Sequence, residues 1–185
     1  MRSLSTHQQR PEDLQTLSRL LATACLALII TLPILVALYW LWADAGTLAV
    51  HSNLSPSAIQ GELLSWQRMV GGLLAEIPLV LLLLGVWEAR RCFLLFATGQ
   101  IFTATAVNCL RRFAGWALAS AMAAIVAGVV SSVVMTLNNP EGMRYLAVGI
   151  GSDQFFLALF AGMVWLMAGV ISQGQALAEE NATFI

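Results

Sequence analysis

A chain of 185 residues that is 59% hydrophobic and 10% charged, with a mean hydropathy of +0.80, lies outside the balance of soluble globular domains. Its net charge of −1 gives no overall basic field to attract nucleic acid, so direct nucleic-acid binding is not expected. A lipid bilayer is the expected surrounding, and the predicted fold class is an all-α polytopic membrane protein with four transmembrane helices.

The polar stretch 1–19 reads as an N-terminal tail and the stretch 20–172 as the transmembrane domain. The first span is predicted over Leu20–Trp42, interrupted by Pro33. Ala43-Asp44-Ala45 mimics a small-residue cleavage site, but the apolar run before it is about 20 residues against the ~7–15 of a cleavable signal, so this span is expected to be retained. The connection after it carries a lone histidine, His51, read as solvated. It also carries a Ser55-Pro56 helix start that puts Ile59, Leu63 and Trp66 on one face, as an interfacial helix would.

The second span is predicted over Met69–Ala89. Glu76 lies inside it, two residues before Pro78, and an ionisable group at that depth is a candidate functional residue. Two readings stand: Glu76 faces a cavity shared by the two proline-weakened helices, or it is a packing element bonded to hydroxyls such as Thr31, Ser131 or Ser132.

After the second span, "WEARRCFLLFAT" keeps helix-forming residues up to Gly99, which can close the helix in the left-handed conformation. Thr103 is the next N-cap, and helix then runs through Arg111 and Arg112 into the third span. The spacing predicts a helical elbow that carries Phe93, Phe96, Ile101 and Phe102 past the two arginine pairs. Such apolar groups either fold back on headgroups and bundle or form a docking surface.

The third span, Phe113–Thr136, has small residues at every fourth position from Gly115 through Ala119, Ala123 and Ala127 to Ser131. Ala158 and Gly162 offer a counterpart on the fourth span, Gln154–Ser172. Such ridges serve close helix packing within the chain, with a homodimer as the further possibility. Trp40, Trp42, Trp66, Trp87, Trp116 and Tyr145 fall near predicted span ends, where such rings favour the headgroup zone. Residues 173–185 read as an acidic C-terminal tail.

Arg2, Arg10 and Arg19 precede the first span and Arg90, Arg91, Arg111 and Arg112 flank the elbow, whereas the other two connections hold Arg68 and Arg144 alone. Seven against two places both termini and the elbow in the cytoplasm. Cys25, Cys92 and Cys109 form no even extracellular set, so disulfides are not expected. No His, Cys and acidic cluster has metal-ligand spacing, and there is no nucleophile elbow, phosphate-cradling glycine loop or H-E-x-x-H helix. Neither enzyme activity nor a metal or other cofactor is expected.

"GQIFTATAVNCLRR" (Gly99 to Arg112) and "GQALAEENATFI" (Gly174 to Ile185) together resemble two motifs of the bacterial membrane family called domain of unknown function 2975. These are a Gly-x-Ile-Phe-Thr, Asn, Leu-Arg-Arg signature after the second span and a C-terminal Gly, Leu, Glu-Glu-Asn pattern. Ala104, Thr105 and Ala106 depart from it, since family members often carry acidic residues directly after the threonine. The resemblance implies four spans in a bacterial inner membrane and no known enzymatic activity. It further implies a partnership with a small cytosolic helix-turn-helix regulator of the Cro/repressor type, beside whose gene such proteins are commonly encoded.

The expected function is therefore that of a non-catalytic membrane protein that binds and restrains such a regulator. Its contact residues are expected to be Phe96, Gly99, Ile101, Phe102, Thr103 and Asn108 at the elbow, with Glu179, Glu180 and Asn181 of the tail. The alternative is a small-solute or proton-coupled permeation protein centred on Glu76 and acting as an oligomer.

Overall fold

A computed structural model describes the backbone of residues 11–59, 63–100, 103–140 and 142–182, with side chains described between residues 15 and 176. Five helices follow in chain order: α1 (Pro11–Trp42), α2 (Ala45–His51), α3 (Ser65–Ala97), α4 (Ala104–Thr136) and α5 (Ser152–Ala182). There is no strand among the described residues. Four of the five are long and apolar enough to cross a membrane. Each of these four has 31 to 33 residues, roughly 50 Å at the α-helical rise, so they outrun a hydrocarbon core of about 30 Å.

The long helices stand in a row. α1 packs on α3, α3 on α4 and α4 on α5, while α1 and α5 share no extensive contact. The last two helices of the row, α4 and α5, can approach closely because their facing residues are small. Ala114 and Ala117 of α4 and Ala161 of α5 are almost wholly buried, packed against Leu82, Leu157 and Val164. The seam is therefore turned by about one residue from the predicted ridge. Ala119 and Ala123 are half-buried, and the α5 contacts are Ala161 and Ala168 while Gly162 is exposed. A one-residue step rotates the face by about 100°, and bulky neighbours such as Phe113 and Phe160, packed edge to face at 6.1 Å, decide which small residues meet.

At the end opposite the elbow, the short helix differs in place from the expected one. Helix forms over Ala45–His51, and residues 55–59, 63 and 64 are turn and irregular chain instead. Asp44 decides this, because its carboxylate accepts the N–H of Thr47 at 3.1 Å and the Thr47 hydroxyl as well, capping α2. Those bonds hold the Asp44 carboxyl below its ordinary value. The cap therefore contributes stability above the unfolded-state pKa, and the contribution is lost as pH falls through the lowered one. Leu48 and Ala49 are completely buried and complete a core with Trp40, Leu54, Ala58 and Met135. Trp40 is thus a core residue, 3% exposed, and not a headgroup anchor; Trp42, 83% exposed, is free for that zone.

The chain leaving α4 doubles back along it. Thr136 donates to the Ser132 carbonyl at 2.9 Å and accepts the Tyr145 N–H at 3.2 Å; Ser132 donates to the Val129 carbonyl at 2.8 Å and accepts the Ala147 N–H at 3.0 Å. Four helical residues rise about 6 Å and two extended residues about 6.6 Å, so the two segments stay in step. Asn139 adds bonds to the Ala58 carbonyl at 2.7 Å and the Met143 carbonyl at 2.9 Å, and Ser131 meets Ser52 at 2.9 Å. Gln67, fully buried, accepts the Leu64 N–H at 3.0 Å and donates to the Val134 carbonyl at 2.8 Å.

Gly71 gives α1 its seat on α3. A Cβ there would lie 2.3 Å from Trp40 Cζ3 and 2.4 Å from Met135 Cε. The methionine methyl can swing away but the indole cannot. Gly71→Ala is expected to lower stability by about 1–3 kcal/mol in a detergent melt. Gly162→Ala, whose Cβ would meet nothing within 4 Å, is expected to change it by less than about 0.5 kcal/mol.

Candidate functional site

Nothing between Trp87 and Ala97 interrupts a helix, so α3 runs two turns beyond Arg90 and Arg91. It ends on Thr98, and Gly99 follows at φ +79°. The Gly99 N–H bonds to the Phe96 carbonyl and the Gln100 N–H to the Leu95 carbonyl, both at 3.0 Å, the paired bonds of a Schellman turn. Thr103 then caps α4, accepting the Ala106 N–H at 3.2 Å. Both ends of the predicted elbow are therefore where the sequence places them. The missing acidic residues at 104–106 leave the Thr103 hydroxyl as the side-chain cap.

The arms beneath the turn are locked by a group that the sequence reading passed over. Glu88 is the one carboxylate between Glu76 and Glu141, set among four arginines. It is 8% exposed, and its Oε1 lies 3.5 Å from Arg91 of its own helix and 3.6 Å from Arg112 of the next. Arg90 stacks over the Trp87 ring at 5.3 Å. Cys92 and Cys109 are buried, and the Cys92 thiol reaches the Ala106 carbonyl at 4.0 Å. The signal that could have found Glu88 is its place as a lone carboxylate amid arginines, together with the i, i+3 spacing to Arg91.

Of the predicted contact residues, Phe96, Gly99, Thr103 and Asn108 come together at this end of the row. Phe96 is half-buried, Gly99 and Asn108 exposed, and Thr103 half-buried in its cap. Ile101 and Phe102 lie outside the described residues. Glu179, Glu180 and Asn181 belong to the last turns of α5, which continues as helix well past the predicted boundary at Ser172; their side chains lie outside the described residues. The arrangement offers two capped helix ends, at Gly99 and Thr103, with the half-buried Phe96 beside them.

Glu76 stands apart. It sits in a shallow hollow made by α3 alone, beside Leu73, Ile77, Val80 and Leu81, and its Oε1 has no hydrogen-bond partner. The hydroxyls proposed for it are engaged elsewhere: Thr31 with the Ala27 carbonyl, Ser131 with Ser52, Ser132 with Val129 and Ala147. The larger space in the molecule is a cleft of about 920 Å³ between α1 and α5, with α3 and α4 behind it and α2 at its end. Pro78 lines that cleft, and its carbonyl accepts the Ser120 hydroxyl at 2.7 Å; neither Glu76 nor Pro33 lines it.

Fold and elbow together define an all-helical membrane protein whose connection between its second and third long helices is a structured projection. The profile of the family described as "Protein of unknown function (DUF2975)" matches residues 55–185, and the chain belongs to that family. The match takes in α3, the elbow, α4 and α5. No curated protein and no solved structure matches the chain.

Two cap variants measure how far the turn is built in. A Cβ at residue 99 would meet nothing within 4 Å, so Gly99→Ala tests backbone conformation alone and is expected to cost about 1–2 kcal/mol. Thr103→Ala is expected to cost about 1 kcal/mol. Glu88→Ala, which leaves Arg91 and Arg112 without their carboxylate, is expected to cost about 1–3 kcal/mol and to exceed the Thr103 effect. Thermal melts of the purified variants in one detergent rank the three.

Proposed function

We propose that this protein is a non-catalytic inner-membrane partner of a small cytosolic helix-turn-helix regulator, which it binds at the elbow and so restrains from DNA. The observation that carries this reading is the elbow itself. A turn closed at both ends by dedicated caps, on arms joined by the buried Glu88 to Arg112 bridge, holds a fixed shape beyond the arginine level. A connection that only joined two spans has no need of such order. The seven-to-two distribution of arginine supports a cytoplasmic elbow.

Phe96, partly exposed on the α3 arm, and Phe102 supply aromatic anchors, the side chains that carry most binding energy at interfaces. Asn108, exposed on the α4 arm, supplies a polar contact beside them. Glu179 and Glu180 bring charge on α5, which sets register and encounter more than affinity. The chain contains no DNA-reading module of its own, so an effect on transcription passes through the second protein.

The test is binding of the purified protein in nanodiscs to the helix-turn-helix protein encoded beside it, together with a reporter for that regulator's operator. Phe96→Asp is expected to weaken the complex at least tenfold, about 1.4 kcal/mol, and to release the regulator in cells. Thr31→Ala, on the far-lying α1, is expected to leave both readouts unchanged. No association between the two purified proteins, or equal association with Phe96→Asp, overturns the reading.

A further inference from the structure

The cleft between α1 and α5 has the attributes of a binding site, at the end of the molecule away from the elbow. Its volume of about 920 Å³ falls in the range of small-molecule sites, roughly 300–1,000 Å³. The charged residues that line it are Asp44 and Asp153, and no arginine does so. The two arginines nearest these carboxylates in sequence on this side both lie outside the lining: Arg68 donates to the Ala43 carbonyl at 2.6 Å, and Arg144 is exposed.

Beside the carboxylates stands an aromatic group. His51 packs against Tyr39 at 6.1 Å and edge-on to Trp40 at 5.9 Å, and all three line the cleft. Deeper in, the wall turns apolar along Val36, Leu79 and Leu82. Two polar atoms of lining residues are buried without a partner: Trp40 Nε1, on a residue 97% buried, and Gln154 Oε1. Buried polar atoms are rarely left so unless something else satisfies them. Gly151 is part of the same wall, and a Cβ there would lie 2.3 Å from Asp153 Oδ1 and 2.6 Å from Gln154 Oε1. Its bareness is what lets both side chains lie across the α5 entrance.

Acidic mouth, aromatic rim and apolar depth are the complement of one ligand class. We propose that this cleft binds an amphipathic organic cation, with the ammonium or equivalent charge between Asp44 and Asp153, against the Tyr39, Trp40 and His51 rings, and the apolar part along Val36, Leu79 and Leu82. Aromatic faces attract such cations and the carboxylates fix the sign of the charge. Entry is from the side, because α1 and α5 are not packed on each other. This site is separate from the elbow and holds whether or not a regulator docks there.

The probe is tetraphenylphosphonium, with tetraphenylborate, the same shape carrying the opposite charge, as its control. Binding is measured by equilibrium dialysis of the full chain in nanodiscs made without amine lipids. Saturable, near-stoichiometric binding of the cation is expected, at least tenfold tighter than that of the anion. Asp44→Asn keeps a side-chain acceptor for the Thr47 N–H, since asparagine is a good N-cap, while it removes the charge and the second acceptor. Asp44→Asn with Asp153→Asn is expected to weaken cation binding at least tenfold in a protein that still folds, with Asp44→Ala and Asp153→Ala melted beside it to separate loss of the cap from loss of charge. Ala127→Phe, which fills the cleft, is expected to abolish it. Repeating the titration with phosphatidylethanolamine present separates the sources of the charge: displacement of the probe assigns the site to an amine headgroup, and its persistence assigns it to a free cation. Equal binding of anion and cation, non-saturable uptake, or binding indifferent to the paired aspartate variant while Ala127→Phe stays folded, overturns the proposal.

Discussion

Chain that leaves a helix near a bilayer must find its hydrogen bonds inside the protein, and the last turns of α4 supply them. Ser131, Ser132, Thr136 and Asn139 present hydroxyls and an amide to both connections at that end. Serine and threonine can bond back to their own helix and still accept a foreign N–H, so one row of side chains serves helix and neighbouring strand-like chain at once. Everything at this end inherits its position from that row. α2 is held through Ser52, the loop before α3 through Asn139 and Ala58, and the approach to α5 through Tyr145 and Ala147. The cleft exists because these segments are kept beside α4 instead of sinking between α1 and α5.

The other end uses charge where this one uses hydroxyls. A single carboxylate among four guanidinium groups joins α3 to α4, while the turn above is closed by backbone geometry at Gly99 and by Thr103. Arginines partly open to solvent lose little by being shared, and the buried Glu88 cannot turn away without leaving its charge unmatched. The two ends therefore resist different perturbations. Salt acts on the elbow end, whereas loss of a hydroxyl acts on the loop end.

What could be read from the sequence follows from the range of the forces involved. The four long helices come from apolar windows, which need no partner to be recognised, and Gly99 and Thr103 come from stereochemistry confined to a single turn. Asp44 capping Thr47 is local too, but Ala43-Asp44-Ala45 also has the form of a cleavage site, and Ser55-Pro56 is the stronger helix-start signal nearby. Ser52 with Ser131 and Gln67 with Val134 are of another kind, separated by 79 and 67 positions. Nothing about a serine or a glutamine announces such a partner. The same holds for Trp40, an interfacial residue by position and a core residue by contact, and for the cleft, whose walls come from all five helices. The small-residue ridges were right in kind and off by one residue, since spacing alone leaves the rotation of a helix to its larger neighbours.

The seating of Trp40 orders the making of the protein. Its ring lies against Gly71 and beside Met135, so the far end of α1 is completed by a residue at the close of α4, which is translated later. Until that residue has been translated and inserted, an indole is left without its walls and α1 can be held only loosely against α3. The packing of α1 on α3 is thus complete only when α4 is in place.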